Sequence, residues 1–290
     1  MLDRYADFCY NQVGSYILDY VPYFEELRPR LSKAGINVTL PEYVSVIAFT
    51  SIAAAIFSLV VLTSVFTATS GLSGLILGIA LTIVNTSLTA AGVYLYPSIM
   101  IKQRAEKIRD TLPFATMYMS TLAGTGTSIA EIFEIMSDVE EYGEVSKEAE
   151  KINRDIQTFG MDSSEALKKA ATRTPSEDFK ELLWGLNHAM TSGGSIREFL
   201  KQRAESLMND YERRIENYAE QLSMLVEMYI TVVIVGSIIF TSISVVMSSF
   251  TSMSGSQIVL IQVLSIFLGL PVISGMFILL VRGISPGGIQ

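Results

Sequence analysis

Residues 43–101 read YVSVIAFTSIAAAIFSLVVLTSVFTATSGLSGLILGIALTIVNTSLTAAGVYLYPSIMI, 59 positions without one Asp, Glu, Lys or Arg. A helix needs about 20 apolar residues to span the hydrocarbon of a bilayer, so this run is long enough to cross twice. Small polar residues and two glycines interrupt it at 67–74 (TATSGLSG), leaving spans at 43–66 and 75–96. A second uncharged run covers 54 positions, 228–281. It breaks at 248–257 (SSFTSMSGSQ), which gives spans at 224–247 and 258–281. Between the two runs lie 126 residues, 102–227, which hold most of the charge.

The sequence therefore predicts an all-α membrane protein: four transmembrane helices in two hairpins flanking a cytoplasmic bundle of about six helices. Its parts are amphipathic and cytoplasmic helices at 1–41, a membrane hairpin at 42–97, the bundle at 98–222, a second hairpin at 223–282 and a tail at 283–290. Lys102, Arg104, Lys107 and Arg109 follow the second span, Arg213 and Arg214 precede the third, and Arg282 follows the fourth. Arg28, Arg30 and Lys33 precede the first. An even number of spans puts all of these on one side, and positive residues mark the cytoplasmic side. Both termini and the central region are expected there, in a multi-pass protein of the cell membrane.

Half of the 290 residues are hydrophobic and the mean hydropathy is +0.40. A net charge of −8 argues against a nucleic-acid partner, which would demand a basic face. Cys9 and His188 are the only residues of their kinds, so an intrachain disulfide, a cysteine metal site and a two-histidine metal site are excluded. The first 20 residues carry three Asp and no continuous apolar core, unlike a cleaved signal peptide. No G-x-x-x-x-G-K-[ST] motif occurs, and the Gly-Thr-Gly-Thr-Ser stretch at 124–128 lacks its lysine. No catalytic constellation, cofactor motif or regular calcium loop is present, so the chain is not expected to be an enzyme. The acidic run at 138–150 reads as a solvated surface, and Trp184 with His188 as a structural pair. Glu227, about one turn into the third span, is the one intramembrane carboxylate, placed at the interface within reach of water or an arginine.

Apolar positions in the central region recur at helical spacing. Leu112, Ala115, Met119 and Leu122 form one stripe, and Ile152, Ile156 and Phe159 another. Phe179, Leu182, Leu183, Leu186 and Met190 form a third, and Ile196, Phe199, Leu200, Ala204 and Leu207 a fourth. Helix boundaries carry a repeated signature of a glycine stop, a Ser or Asp cap and a Glu three residues on: Gly126, Ser128 and Glu131; Gly160, Asp162 and Glu165; Gly194, Ser195 and Glu198. Thr174-Pro175 supplies a further start. The resulting helices are 98–110, 112–124, 128–141, 145–159, 162–173 and 175–192. A longer one begins at Ser195 and runs without Gly or Pro into the third span. Ahead of the first span, a helix with Leu2, Tyr5, Cys9, Val13, Tyr16, Ile17 and Tyr20 on one face either lies at the interface or packs on the bundle. A second helix, 22–34, ends at Gly35.

The sequence LPFA at 112–115, leading to LAGTGTSI at 122–129, resembles the opening of the type II secretion F domain. GMDSSEAL at 160–167, TRTPS at 172–176 and GGSIREFL at 193–200 are similar to that domain's later motifs, in order. LSKAGI at 31–36 resembles the segment before its first span. The family comprises membrane platform proteins of type IV pili, Tad pili, type II secretion systems and archaella. The resemblance implies a non-enzymatic platform that couples a hexameric assembly ATPase to insertion or extraction of pilin-like subunits. It also implies a homodimer, a homo-oligomer or a hetero-oligomer with a paralogous platform. The basic cluster Lys102, Arg104, Lys107 and Arg109 is the candidate docking surface for the ATPase. The bacterial pilus and secretion versions carry the domain twice; this sequence holds one copy with two flanking hairpins, closer to the Tad-type and archaeal arrangements. A secondary transporter or channel subunit is the alternative.

Overall fold

The computed structural model describes residues 2–36, 38–70, 72–248 and 255–284. Among them there is no strand. Ten α-helices follow in order: α1 (Leu2–Ile17), α2 (Leu27–Ala34), α3 (Leu40–Ser70), α4 (Leu72–Gly124), α5 (Ile129–Asp138), α6 (Glu144–Gln157), α7 (Ser163–Arg173), α8 (Glu177–Thr191), α9 (Ile196–Ser248) and α10 (Gly255–Ile284). Three of them contain stretches long and apolar enough to cross a membrane: Leu40–Thr67, Ile76–Gly124 and Ile196–Val246. In α10 the apolar stretch Phe267–Gly283 is shorter.

The chain divides into two compact units, Met1–Ala204 and Glu205–Gln290. In the first, α3 and α4 form an antiparallel hairpin, the largest packing interface of the unit. The expected eight-residue loop at 67–74 contracts, because α3 continues to Ser70 and α4 begins at Leu72. Gly74 lies inside α4, where a Cβ would meet the Phe66 carbonyl oxygen at 2.0 Å. Its lack of a side chain thus serves close helix approach, as small residues do between membrane helices. Gly71, and residues 249–254 of the second expected loop, lie outside the described residues, as do 285–290 of the tail.

α4 also absorbs two predicted helices. The stops expected near 97 and 110 do not form, and Pro97 and Pro113 sit within one 53-residue helix. A proline forfeits one bond to the carbonyl four residues earlier and clashes with it. At Pro97 that carbonyl belongs to Val93, and it accepts instead from the Tyr43 hydroxyl on α3 at 2.7 Å. Tyr43 is only 2 % exposed, so its hydroxyl and the freed carbonyl satisfy each other away from water. At Pro113 the buried residues Ile108, Leu112, Ala115 and Met119 keep one apolar stripe in phase through the imide.

α5 packs on α6 and α7 on α8, with α4 alongside α5, α6 and α8. The buried faces hold Ile129, Ile132, Phe133 and Met136 of α5, Val145, Ala149 and Ile152 of α6, Ala166, Leu167, Ala170 and Ala171 of α7, and Phe179, Leu182, Leu183 and Leu186 of α8. Phe159, expected on the α6 stripe, is 65 % exposed because α6 ends at Gln157; the Lys169 ammonium lies 5.9 Å from its ring centre. α8 starts after Ser176, whose hydroxyl accepts from Phe179 N–H, so Pro175 stands outside the helix and not at its first position. α1 packs on the start of α3 through Ala6, Cys9 and Ile17, and Tyr5 and Phe8 meet Phe49 edge-on.

In the second unit the Tyr229 hydroxyl of α9 shares a 2.9 Å hydrogen bond with that of Ser274 on α10. The Tyr229 ring stacks on Phe277 with centres 4.6 Å apart.

The Tyr43–Val93 bond yields a double-mutant test. Tyr43→Phe is expected to cost about 1 kcal/mol, the net value of a buried hydrogen bond. In a Pro97→Ala background the Val93 carbonyl regains a backbone donor, so the same substitution should cost less than half as much. Chemical unfolding of the full chain in detergent measures both, and equal costs would show that the proline does not create the need for Tyr43.

Candidate functional site

α2 ends at Gly35, which is left-handed at φ 72 and closes the helix with Gly35 N–H to the Ser32 carbonyl and Ile36 N–H to the Leu31 carbonyl. The Lys33 carbonyl is left free, and Arg104 Nη1 donates to it at 2.8 Å. A Cβ at Gly35 would stand 2.7 Å from that nitrogen, so glycine is required both for the backbone angle and for the guanidinium's approach. Arg104 belongs to α4, about two turns past Pro97. Its other nitrogens reach α6: Nε lies 2.8 Å from Glu144 Oε2 and Nη2 2.9 Å from Glu148 Oε1.

From Glu148 the network spreads along α6 and onto α7. Lys151 Nζ lies 2.8 Å from Glu148 Oε1, and Arg173 Nε 3.4 Å from Oε2. Arg173 Nη1 also reaches Asp155 Oδ2 at 3.0 Å, and Lys169 Nζ reaches Asp155 Oδ1 at 2.9 Å. Lys147 closes the other end on Glu144 at 2.8 Å. Glu148 has a side chain 1 % exposed and touches three cations. Burial pushes the Glu148 carboxyl up, but the Lys151 hydrogen bond and charge, with Arg104 and Arg173, outweigh it and hold the group below the usual carboxylate range. Asp155 is lowered in the same way, burial being outweighed by Lys169 and Arg173, and Glu144 by Lys147 and Arg104.

Arg104 is therefore part of the interior, 8 % exposed and fully engaged, and does not present its charge to a partner. Of the other basic residues in that cluster, Lys102 and Lys107 are exposed, and Arg109 lies 3.6 Å from Asp178 of α8. The acidic run at 138–150 is only partly a solvated surface, because Glu144 and Glu148 turn inward. Glu144, Glu148 and Asp155 share one helical stripe beside Val145, Ala149 and Ile152, and that coincidence was the available signal in the sequence. Trp184 and His188 both lie on the exposed face of α8. Glu227 is exposed on α9, its carbonyl accepting from the Thr231 hydroxyl. Among the described residues no cluster of His, Cys, Asp or Glu could hold a metal ion.

The helix starts are capped as follows. The Ser128 hydroxyl accepts from Glu131 N–H at 3.3 Å, Asp162 from Ser164 N–H at 2.9 Å, and Ser195 from Glu198 N–H at 3.2 Å. Gly126, Gly160 and Gly193 are left-handed, whereas Gly194 is not; Gly194 N–H donates to the Ala189 carbonyl. The Glu131 and Glu165 side chains are exposed, and Glu198 accepts from Gln202. The Glu half of a capping box occurs at the first span, where Thr39 N–H donates to Glu42 Oε2 at 2.7 Å.

Residues 115–243 match the family described as type II secretion system (T2SS), protein F. The chain thus carries a T2SS protein F domain, set among apolar helices. An uncharacterized protein of Methanocaldococcus jannaschii is 28% identical over 199 residues, covering 66% of this chain and 33% of that protein. Flagella accessory protein J of the same organism is 31% identical over 137 residues, covering 47% of this chain and 24% of its own. Flagella accessory protein J of Methanococcus voltae is 25% identical over 147 residues, covering 50% and 26%. The chain spans about a quarter to a third of the length of these curated relatives. No solved structure matches.

Removing one partner of a buried pair costs about 3–5 kcal/mol when a charge is left uncompensated. Glu148→Gln strands three cations around a neutral amide, whereas Arg104→Gln leaves Glu148 with Lys151 and Arg173. Glu148→Gln should therefore destabilise the full chain more, by at least about 1 kcal/mol in denaturant unfolding. Equal losses would mean that the network does not act as a unit.

The pH dependence has a definite sign. Glu144, Glu148 and Asp155 have lowered folded-state values. Their stabilisation is present above the ordinary carboxylate range near pH 4 and is lost as pH falls through the folded values. Melting temperature in detergent should hold between about pH 5 and 7 and drop below about pH 4, less steeply in Glu148→Gln. A rise on acidification would contradict the assignment.

Proposed function

We propose that this chain is a non-enzymatic membrane platform for assembling a pilus-like or archaellum-like filament. It couples a cytoplasmic hexameric ATPase to the insertion or extraction of pilin-like subunits. The observation that carries the proposal is α9: one helix begins inside the matched domain at Ile196 and continues to Ser248 through a membrane-length apolar stretch. A helix without a break between a water-facing part and a bilayer-crossing part can transmit movement from a motor outside the lipid to subunits within it. The likeness to flagella accessory proteins supports the same class of machine.

In this reading α3, α4, α9 and α10 are four spans. The termini, α5–α8 and the adjoining ends of α4 and α9 are cytoplasmic. Positive residues at the inner ends of the spans support that orientation. Lys102, Lys107 and Arg109 are the exposed cations of the cluster that would meet an acidic ATPase surface, with Arg104 withdrawn into the interior. The assembly is a homo-oligomer or pairs with a paralogous platform.

Topology and role are tested separately. With Cys9→Ser and Glu140→Cys, an impermeant maleimide should label the protein only after cells are lysed; labelling of intact cells would reverse the orientation. Purified protein in nanodiscs should bind its cognate assembly ATPase and stimulate ATP hydrolysis, and its deletion should abolish filaments. Intact filaments in the deletion strain would end the platform reading.

A further inference from the structure

On one flank of the Lys33–Gly35 turn lies an open cleft of about 470 Å³. Three cations line it, Arg28 of α2, Lys151 of α6 and Arg173 of α7, and no carboxylate does. Its remaining wall is mostly apolar: Leu31, Ile36, Val38, Leu40 and Pro41. Leu40 and Pro41 are the first residues of α3, where the first membrane-length stretch begins.

The charges do not balance. The network joins five cations, of which Lys147 and Lys169 stand in solvent and Arg104, Lys151 and Arg173 lie further in, to three carboxylates (Glu144, Glu148 and Asp155). Two positive charges are left over before Arg28 is added, and Arg28 makes no ion pair among the described residues. Arg173 lines the cleft, and its Nη2 is buried with no hydrogen-bond partner among the described residues. A buried donor of this kind calls for an oxygen acceptor. A cleft lined by cations alone, with Arg28 unpaired among the described residues and an apolar lip at the start of a span, matches a phosphate carrying acyl chains: the charge takes the headgroup and the lip takes the glycerol and first methylenes.

We infer that this cleft binds the phosphate of an anionic membrane lipid, seating the junction of α2, α3, α6 and α7 on the bilayer surface. The inference rests on α3 being a span, but not on the platform role. An inorganic phosphate would share the cations but make no use of the apolar lip, and an acidic protein segment would not require the cleft to open at the start of a span.

The test uses the full chain in micelles doped with phosphatidylglycerol or phosphatidylcholine, with retained lipid read by native mass spectrometry. The wild type should retain phosphatidylglycerol selectively. Arg28→Gln, at an exposed position outside the network, should weaken retention by roughly fivefold, the effect of about one basic residue at an anionic surface. Lys168→Gln, on the exposed side of α7, should leave it unchanged. Equal retention of the two lipids, or equal effects of the two substitutions, would overturn the proposal. So would displacement of the lipid by millimolar inorganic phosphate, which would make this a site for a soluble anion. Binding of a polyglutamate peptide that depends on Arg28, without lipid retention, would assign the cleft to an acidic protein segment instead. Extraction of membranes with alkaline carbonate checks the span separately, since loss of the chain from the pellet would defeat the membrane reading itself.

Discussion

The guanidinium of Arg104 makes three contacts that no shorter or more flexible side chain could make together: a main-chain carbonyl of the N-terminal segment and two carboxylates of α6. Its planar fork has fixed donor directions, so satisfying all three sets the relative positions of α2, α4 and α6. Glu148 then extends the constraint to α7 through Arg173. A buried ion pair need not add net stability, since desolvation offsets much of the attraction. Its firmer consequence is specificity. Sliding α6 by one residue along α4 would strand carboxylates and a guanidinium together in a poorly solvated interior. The aliphatic contacts around them would tolerate such a slip far better.

This explains how a junction between lipid and water is held by polar groups. On the apolar side, α3 and α4 approach closely at Gly74 and share the Tyr43–Val93 bond. On the charged side, the apolar faces of α5 to α8 close over one another, and the network links them to the spans. The two regimes meet at 35–43, where a helix stop, a capped helix start and a proline succeed each other within nine residues.

Much of the architecture was legible because its causes are local. Uncharged runs marked the long apolar helices, glycine followed by Ser or Asp marked the starts of α5, α7 and α9, and stripes such as Phe179–Leu182–Leu186 marked buried faces. Three things were hidden. Prolines look like stops, yet whether a helix ends at one depends on a partner for the freed carbonyl, and Tyr43 lies 50 positions from Val93. A Gly-rich break looks like a loop, yet Gly74 serves helix contact. Arg104 sits where cytoplasmic positive charge is expected anyway, and its composition alone could not distinguish an outward cation from one whose partners, Glu144 and Glu148, are 40 and 44 positions away.

One consequence concerns the phase of α4. Val93 and Arg104 are eleven residues apart, which at 100° per residue brings them within about 20° of the same azimuth and about 16 Å apart along the axis. The segment containing α2 and the start of α3 is thus pinned to α4 at two rungs of one ladder, by Tyr43 above and the Lys33 carbonyl below. Two fasteners on one line resist twisting of the rod between them. Torque applied to the lower end of α4 would be handed to α3 before it could wind the helix, so the first hairpin turns as a single piece.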